Sequence, residues 1–155
     1  MDMKNAVCIV SGSASGIGAA SATMLAGRGA RVVVNYSKSE AAARATFAAC
    51  EAAGSEALLV KADVSLDADC RRLAQAALDK WGRIDALVNN AGATKFANHS
   101  DLEALSAEDF LRIYSVNVVG AYQMVRACAP AMKKSGCGAV VNVSSLAGKN
   151  GMGSS

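Results

Sequence analysis

Three glycines stand close together in the segment S-G-S-A-S-G-I-G, which directly follows an apolar run. Their spacing is Gly12-x-x-x-Gly16-x-Gly18, and residues without a β-carbon let a turn bend tightly and bring backbone N–H groups close to a pyrophosphate. A helix that begins near Gly16 would point the positive end of its dipole at that anion. The spacing alone also fits an ordinary strand-to-helix turn. It is not G-x-G-x-x-G, no Gly-Lys-Ser/Thr follows as in a P-loop, and Ala14 stands where a nucleophile elbow needs serine.

Polar residues follow later apolar runs of the chain in the same way. Asp63 comes after the run 57–61, the sequence N-N-A-G (89–92) comes after 84–88, and S-S (144–145) follows a run that begins at 139. The carboxyl ends of parallel strands share one edge of a sheet. We therefore expect these polar groups to meet the glycine turn along a single crevice.

Short apolar runs alternate with alanine-rich, helix-compatible segments along the whole chain. Continuous apolar runs are typical of strands buried on both faces, and each crossover between parallel strands returns right-handed over the sheet. The sequence therefore predicts one α/β domain over 1–155, with a doubly wound parallel sheet covered by helices on both faces. The predicted strands are Ala6–Val10, Arg31–Tyr36, Ala57–Lys61, Ile84–Val88 and Ala139–Val143.

Capping residues predict where the helices begin and end. Glycine at the end of the first helix, around 27–29, can take the left-handed conformation. Ser37 and Glu40 have the spacing of a capping box for the second helix, predicted over 39–53 and closed by Gly54. Ser65 is the predicted N-cap of the third helix, over 67–80.

The longest predicted helix begins at the sequence S-A-E-D (106–109), a capping box with Asp in place of the usual Glu. It runs to about Lys133 and carries Asn117, and Pro130 is expected to bend or end it.

The composition excludes several classes of protein. A chain of 155 residues that is 52% hydrophobic and 19% charged is not disordered, and none of its apolar runs is long enough to span a bilayer. A net charge of +3 without a basic run argues against nucleic-acid binding. Five scattered cysteines without C-x-x-C, and His99 as the one histidine, argue against a disulfide framework and a metal site. With no secretory signal at the start, we expect a cytoplasmic protein.

Taken together, the motifs resemble those of the short-chain dehydrogenase/reductase family, in its 3-oxoacyl-carrier-protein-reductase-like branch. They are S-G-x-x-x-G-I-G after the first strand, Asp63-Val64 after the third, N-N-A-G after the fourth, Val116-Asn117 in the long helix and V-N-V-S-S at the fifth. Each stands at the end of the expected element, in the expected order, and together they cover the whole chain. Ser11 stands where the family usually has threonine and keeps the hydroxyl.

The resemblance implies a Rossmann fold that binds a nicotinamide dinucleotide along the carboxyl ends of the strands. It implies that Asp63 accepts a hydrogen bond from the adenine amino group, although a helix cap is the other reading of Asp63, and that 90–92 pass under the adenosine ribose. Asn89 is expected to tie neighbouring strands together. The predicted cofactor-binding residues are Gly12, Ser13, Ser15, Gly16, Ile17, Gly18, Tyr36, Ser37, Lys38, Asp63, Val64, Asn90, Ala91 and Gly92.

The end of the second strand favours NADP(H) over NAD(H). A site for NAD normally has an acid there to bind the ribose 2′-hydroxyl, whereas this chain has Tyr36, Ser37 and Lys38. A hydroxyl and an ammonium group would bind a 2′-phosphate that an acid would repel. Glu40 is interpreted as part of the capping box instead of as the missing acid. NAD(H) remains the alternative, since Lys38 also fits a solvated surface charge.

The catalytic residues are only partly present. The resemblance implies that Ser145 hydrogen-bonds the substrate carbonyl or hydroxyl and that Asn117 holds a catalytic lysine through water. The family's Tyr-x-x-x-Lys is absent, and the nearest match, Tyr122-x-x-x-Arg126, lies before the serine in another helix. A tyrosine with a pKa near 10 needs a neighbouring cation to transfer a proton at neutral pH. We therefore predict that these 155 residues alone do not catalyse the reaction, and that the catalytic tyrosine would follow just past Ser155.

Three readings of the sequence remain. The first is the amino-terminal part of an NADP(H)-dependent reductase of small carbonyl or alcohol substrates, truncated after the fifth strand. The second is a non-catalytic, truncated dinucleotide-binding module. The third, a methyltransferase using S-adenosylmethionine, is disfavoured because it would need an acid in place of Tyr36. The resemblance implies a homo-tetramer or homo-dimer built largely through the long helix, and a fifth strand at an exposed sheet edge predicts association.

Overall fold

A five-stranded parallel sheet forms the centre of the molecule, as predicted. The computed structural model describes residues 2–98 and 100–150, without the side chain of Asn150. The strand order is β3-β2-β1-β4-β5, so the chain builds outward from β1 in one direction and then returns to β1's other side. The strands are β1 (Val7–Val10), β2 (Arg31–Tyr36), β3 (Ala57–Lys61), β4 (Ala86–Asn89) and β5 (Ala139–Asn142).

The strand order changes direction at β1, where the chain crosses to β4 on the other side, and this change determines where the site forms. Both strands run parallel, and Cys8 pairs with Val32 of β2 on one side and with Ala86 of β4 on the other. The residues that follow these parallel strands therefore lie along one carboxyl edge of the sheet, where open α/β sheets bind their ligands.

Helices cover both faces of the sheet. A π-helical segment, Ser115–Gly120, joins the fourth helix to the fifth. The helices are α1 (Gly16–Gly27), α2 (Glu40–Ala52), α3 (Asp67–Trp81), α4 (Ala107–Tyr114), α5 (Ala121–Ser135) and the short α6 (Ala147–Asn150).

The two faces have separate apolar cores. Val7 and Ile9 of β1 point to one side, where they join buried residues of α3 and α5 such as Leu73 and Met124. Alternate residues of the same strand, including Cys8, point to the other side and join the alanines of α1 and α2. Both faces of β1 and β2 are thus buried, as their continuous apolar runs predict.

The α2 capping box is the first prediction that the structure corrects. The helix begins at Glu40 behind Ser39, so Glu40 is the first helical residue and cannot take the third-residue position that a capping box requires. Ser37 lies outside the helix, and the Glu40 carboxylate accepts hydrogen bonds from Arg44 instead.

The N-cap of α3 is the second correction. The hydroxyl of Ser65 donates to the Asp63 carboxylate at 2.7 Å, and the helix starts at Asp67 as predicted, but behind Leu66 in place of Ser65 and without a side-chain cap. Asp63 does not cap this helix either, since its Oδ1 accepts from the backbone and hydroxyl of Ser65.

The long helix is partly as predicted. Its capping box is confirmed: Ser106 Oγ accepts from the Asp109 N–H at 3.3 Å, and Asp109 Oδ2 accepts from the Ser106 N–H at 3.0 Å. Pro130 does not end α5, which continues to Ser135 and stops at Gly136 in the left-handed conformation. The π-helical interruption is not foreseen by the sequence.

The fifth strand forms an open edge of the sheet. Val140 and Val141 are 42% and 53% exposed, and within the described residues no further strand pairs with β5 on its outer side. Among the described residues there is also no helix with the length and apolar character needed to cross a membrane.

Candidate functional site

A cleft of about 760 Å³ lies along the carboxyl edge of the sheet. Four of the five strands contribute to it through the residues that follow them, so the predicted crevice is present. Its lining consists of Gly12, Ala14, Ser15, Ile17, Asn35, Tyr36, Ser37, Lys38, Ser39, Ala62, Asp63, Val64, Ser65, Asn90, Ala91, Gly92, Ala93, Thr94, Arg112 and Val116.

The three glycines of the first turn serve different purposes. Gly12 has φ +62°, and a β-carbon there would lie 2.7 Å from Ala91 Cα, so both the turn and the neighbouring loop require glycine. Gly16 also has a positive φ, of +57°, but it faces open space. Gly18 allows close packing, since a β-carbon would lie 2.4 Å from Asn90 Nδ2.

The Ser11 hydroxyl joins the glycine turn to the loop after β4. Ser11 Oγ accepts from the N–H groups of Asn90 (3.0 Å) and Ala91 (3.1 Å) and donates to the Val88 carbonyl at 3.3 Å. In the other direction, the side-chain amide of Asn90 donates to the carbonyls of Ser11 and Gly12. These bonds hold the two loops that flank the crevice at a fixed separation.

Ser13, like Gly16 and Gly18, is a predicted cofactor residue that does not line the cleft. It is fully buried, and its hydroxyl donates to the Val10 carbonyl at 2.8 Å and accepts from the Asn35 N–H at 2.8 Å. Its side chain therefore supports the turn from below and does not face the cleft.

Asn35 is an important residue that the sequence analysis missed. It is 2% exposed, and its Oδ1 accepts from the Gly12 N–H at 2.9 Å. Its Nδ2 donates to the Ala62 carbonyl at 3.0 Å, with a longer contact to the Val60 carbonyl at 3.3 Å. One amide thus connects the glycine turn to the ends of β2 and β3. The available signal was a single polar residue within the apolar run of β2.

The residues after β2 form the polar end of the cleft. Burial, and secondly the nearby Glu40 carboxylate, raise the pKa of the Tyr36 hydroxyl. Ser37 and Lys38 line the cleft, and neither side chain has a hydrogen bond or ion pair with the described residues. Ser39, which the sequence analysis did not include, also lines the cleft, and its hydroxyl makes no capping bond to α2.

Asp63 is held in place at the end of β3. Its N–H donates to Asp69 Oδ2 at 2.7 Å, and its own Oδ1 accepts from Ser65. The Asp63 N–H, and secondly the Arg72 guanidinium, lower the pKa of Asp69. Asp63 Oδ2 has no protein partner among the described residues, so that oxygen can accept a bond from a ligand. Val64 beside it is buried and lines the same part of the cleft.

Neither of the two predicted catalytic residues lines the cleft, although Asn117 bonds to Ala93, which does. Asn117 is in the π-helical segment, where its Oδ1 accepts from the Ala93 N–H at 2.7 Å and its Nδ2 donates to the Ala93 carbonyl at 2.9 Å. Ser145 follows β5 and is exposed, with its Oγ accepting from the Ala147 N–H at 3.1 Å. Its hydroxyl proton remains available to a substrate oxygen.

Asn89 ties β4 to β5, as expected. Its Nδ2 donates to Asn142 Oδ1 at 2.9 Å, and the two residues are register partners in the sheet. Across 2–98 and 100–150, no group of three or more metal-ligating side chains comes together, and His99 lies outside the described residues.

The family model for short chain dehydrogenases matches residues 6–155. The relative "Granaticin polyketide synthase putative ketoacyl reductase 2" from Streptomyces violaceoruber is 47% identical over 96% of this chain and 58% of its own length. A 3-oxoacyl-[acyl-carrier-protein] reductase from Synechocystis is 39% identical over 94% of this chain and 58% of its own. The chain thus spans about three fifths of the length of these curated relatives.

Solved structures give the same result. A "putative short-chain dehydrogenase/reductase" from Burkholderia xenovorans superposes with a TM-score of 0.93 at 43% identity, covering 97% of this chain and 63% of the other. A metagenomic short-chain oxidoreductase in complex with NADP has a TM-score of 0.87 at 37% identity, covering 97% and 66%. An NAD⁺-bound xylitol dehydrogenase has a TM-score of 0.89 at 29% identity, covering 98% and 57%. Structures with either dinucleotide therefore share this fold.

Proposed function

Because the chain belongs to the short-chain dehydrogenase/reductase family, we propose that its cleft binds a nicotinamide dinucleotide for hydride transfer between the nicotinamide and a carbonyl or secondary alcohol. The observation that carries the proposal is the close approach of two loops across the crevice. Gly12 and Ala91 are too near for another β-carbon, while Gly16 faces open space. Backbone N–H groups and the start of α1 are thereby available to a pyrophosphate.

The adenosine half would lie over the ends of β3 and β4. Asp63 Oδ2 is the acceptor for the adenine amino group, while the Ser65 bonds hold the carboxyl group and Asp69 holds the Asp63 backbone N–H. The backbone of 90–92 passes under the ribose, and its position is fixed by Ser11. Arg112, which lines the cleft from α4, adds a positive charge near the dinucleotide.

We propose NADP(H) as the preferred cofactor, with NAD(H) as the weaker one. Ser37, Lys38 and Ser39 present two hydroxyls and an ammonium group to one end of the cleft. A 2′-phosphate would give these groups a charge-assisted partner, whereas a 2′-hydroxyl would leave Lys38 unpaired. The NADP complex of a relative is consistent with this preference, and the NAD⁺ complex of another shows why it needs a direct test.

The catalytic step is assigned only in part to this chain. Ser145 would donate a hydrogen bond to the substrate oxygen, and Asn117 would position the group that supplies the proton. The bound nicotinamide supplies the hydride. The proton requires a tyrosine with a lysine four residues later, and the 155 residues contain no such pair. We propose that the 155 residues bind the cofactor without turnover and that the parent protein reduces or oxidises a small carbonyl or alcohol substrate.

Self-association is the remaining part of the proposal. Tyr114, Val118 and Tyr122 are spaced one helical turn apart on the long helix and are 60%, 48% and 63% exposed. Such an apolar stripe is costly to leave in water. We propose that it is the interface of a homo-dimer or homo-tetramer.

A titration of the protein with NADPH and with NADH, followed by nicotinamide fluorescence, tests the proposal. We expect saturable binding of both, tighter for NADPH, and no loss of NADPH absorbance when ketones and aldehydes are added. Failure to bind either dinucleotide would overturn the cofactor assignment. Reduction of a carbonyl by these 155 residues would overturn the requirement for Tyr-x-x-x-Lys.

A further inference from the structure

One buried amide of the long helix bonds to a residue of the cleft wall. Gln123 is 8% exposed, and the other buried residues of α5 are Met124, Cys128 and Met132. The Gln123 Nε2 donates to the Val64 carbonyl at 3.0 Å, and Val64 lines the cleft. Gln123 therefore joins the long helix to the cleft, although it does not line the cleft itself.

The carbonyl oxygen of Val64 is held by more than one contact. The thiol of Cys70 also donates to it, with Sγ at 3.2 Å. Burial raises the pKa of Cys70 to about 11, so the thiol keeps its proton at neutral pH, but an S–H group is a weak donor. A β-carbon on Gly120 would lie 3.0 Å from the same oxygen, so the π-helical segment packs closely against it. The Gln123 amide is thus the stronger of the two donors.

The peptide group between Val64 and Ser65 carries this contact to Asp63. A trans peptide group is planar, and its C=O and N–H point in opposite directions. The carbonyl of this group accepts from Gln123, while its N–H, which belongs to Ser65, donates to Asp63 Oδ1 at 3.0 Å. A rotation of the peptide group would therefore disturb both hydrogen bonds at once.

The direction of the Asp63 carboxylate decides what its second oxygen can bind. Oδ1 accepts from the N–H and the hydroxyl of Ser65, whereas Oδ2 has no protein partner among the described residues. Hydrogen bonds weaken steeply as they lose alignment. A fixed peptide group between Val64 and Ser65 therefore prepares Oδ2 to accept from a ligand in the cleft.

We propose that Gln123 is a positioning residue for the adenine half of the dinucleotide, acting through the peptide group between Val64 and Ser65 on the carboxylate of Asp63. The inference rests on the proposed function, because it needs the adenine amino group at Asp63. Gln123 does not contact the cofactor. A residue of the long helix, outside the cleft lining, thus takes part in recognition of the base.

The variant Gln123→Met tests this inference, because methionine keeps the length of the side chain and lacks the N–H donor. The probes are NADH and reduced nicotinamide hypoxanthine dinucleotide, in which a carbonyl oxygen replaces the adenine amino group. Their dissociation constants are measured by nicotinamide fluorescence.

The original protein should bind NADH about tenfold or more tightly than the hypoxanthine analogue, as expected for a hydrogen bond to a charged acceptor. Gln123→Met should weaken NADH binding by about threefold to tenfold, because the Asp63 carboxylate loses its alignment. Binding of the analogue, which makes no amino-group bond to Asp63, should stay within about twofold. The preference for adenine therefore falls in the variant.

The ratio of the two dissociation constants separates positioning from a general loss of structure. If Gln123→Met weakens both probes equally, or weakens neither, Gln123 has no part in recognition of the base and the proposal is wrong. If the original protein binds both probes equally well, Asp63 does not recognise the amino group, and the inference fails while cofactor binding stands. Binding of neither probe by the original protein would overturn the proposed function as well.

Gln75→Met is the matched control. The Gln75 Nε2 donates to Asp79 Oδ1 at 2.7 Å on the exposed surface of α3, outside the cleft lining. This variant should leave both dissociation constants and their ratio unchanged. Thermal unfolding of each variant shows whether the protein remains folded.

Discussion

At the scale of single residues, the cleft depends on the missing β-carbons of two glycines as much as on the hydrogen bonds around it. Gly12 and Gly18 leave room for the loop after β4, and a β-carbon at either position would lie within 3 Å of that loop. Ser11 and Asn90 then fasten the two loops with hydrogen bonds. The crevice therefore exists before any ligand binds.

The substitution Gly18→Ala should weaken cofactor binding more than the addition of a single methyl group suggests. The new methyl group would lie 2.4 Å from Asn90 Nδ2 and 2.5 Å from the Gly12 carbonyl oxygen, so the Asn90 bonds that position both loops must break or shift. We expect NADPH to bind at least about tenfold more weakly and the protein to lose about 1–3 kcal/mol of stability, as in other overpacked sites. Fluorescence titration and thermal unfolding measure the two effects.

Gly27→Ala is the control for this substitution. Gly27 ends α1, and a β-carbon there would have no neighbour within 4 Å. Alanine is a better helix former than glycine, so stability should be unchanged or higher and binding unaffected. Equal effects of the two substitutions would show that the close packing at Gly18 has no special role.

Single residues also mark the limit of what the sequence reveals. The glycine turn, Asp63 and N-N-A-G could be predicted, because each has a recognisable spacing after an apolar run. Asn35 could not, since its bonds to Gly12 and Ala62 join residues 23 and 27 positions away. Only the folded sheet brings them together. Ser13 shows the same limit, because sequence gives no indication that its hydroxyl points inward.

At the scale of elements, strand and helix positions were predictable within about two residues, since continuous apolar runs and capping glycines mark them directly. The errors in the predicted helix caps concern side chains that form a hydrogen bond with a different partner from the one expected. Ser65 was expected to cap α3, but its hydroxyl bonds to Asp63 instead. The π-helical segment was missed because no residue pattern marks it. Its last residue, Gly120, packs closely against Val64, since a β-carbon there would lie 2.8 Å from Val64 Cγ2.

The first turn of α3 carries a pH-dependent contact with the cleft. The Asp63 N–H, and secondly Arg72, lower the pKa of Asp69 below its usual value of about 3.9. A depressed folded-state pKa gives stability that is fully present above the unfolded pKa and is lost as the pH falls through the folded pKa. Asp69→Asn removes the charge and keeps the shape, so it should cost about 1 kcal/mol at pH 7 and progressively less below about pH 4.

Chemical denaturation of both proteins across this pH range measures the difference. Asp79→Asn is the control on the same helix, because Asp79 is exposed and its side chain bonds, among the described residues, to Gln75 alone, near the other end of α3. A constant difference between the Asp69→Asn variant and the original protein at all pH values would contradict the contribution of the Asp69 charge.

At the scale of the whole molecule, the position of the cleft follows from topology. The alternation of strands and helices predicted a doubly wound sheet, but the order of the strands is a property of the folded chain. The reversal on either side of β1 places the ends of β1, β2, β3 and β4 around one cleft. The charged residues in the described lining of that cleft are Lys38, Asp63 and Arg112.

The most direct test of the account is the dissociation constant of NADPH, compared with that of NADH, for the original protein and for Lys38→Ala. Lys38 lines the cleft and has no described partner to lose, so the substitution removes only its charge and stem. We predict that the original protein prefers NADPH and that Lys38→Ala weakens NADPH binding by about fivefold to tenfold, with NADH binding unchanged. An unchanged NADPH dissociation constant would show that Lys38 is not the phosphate ligand, and the proposed preference for NADP(H) would lose its main support.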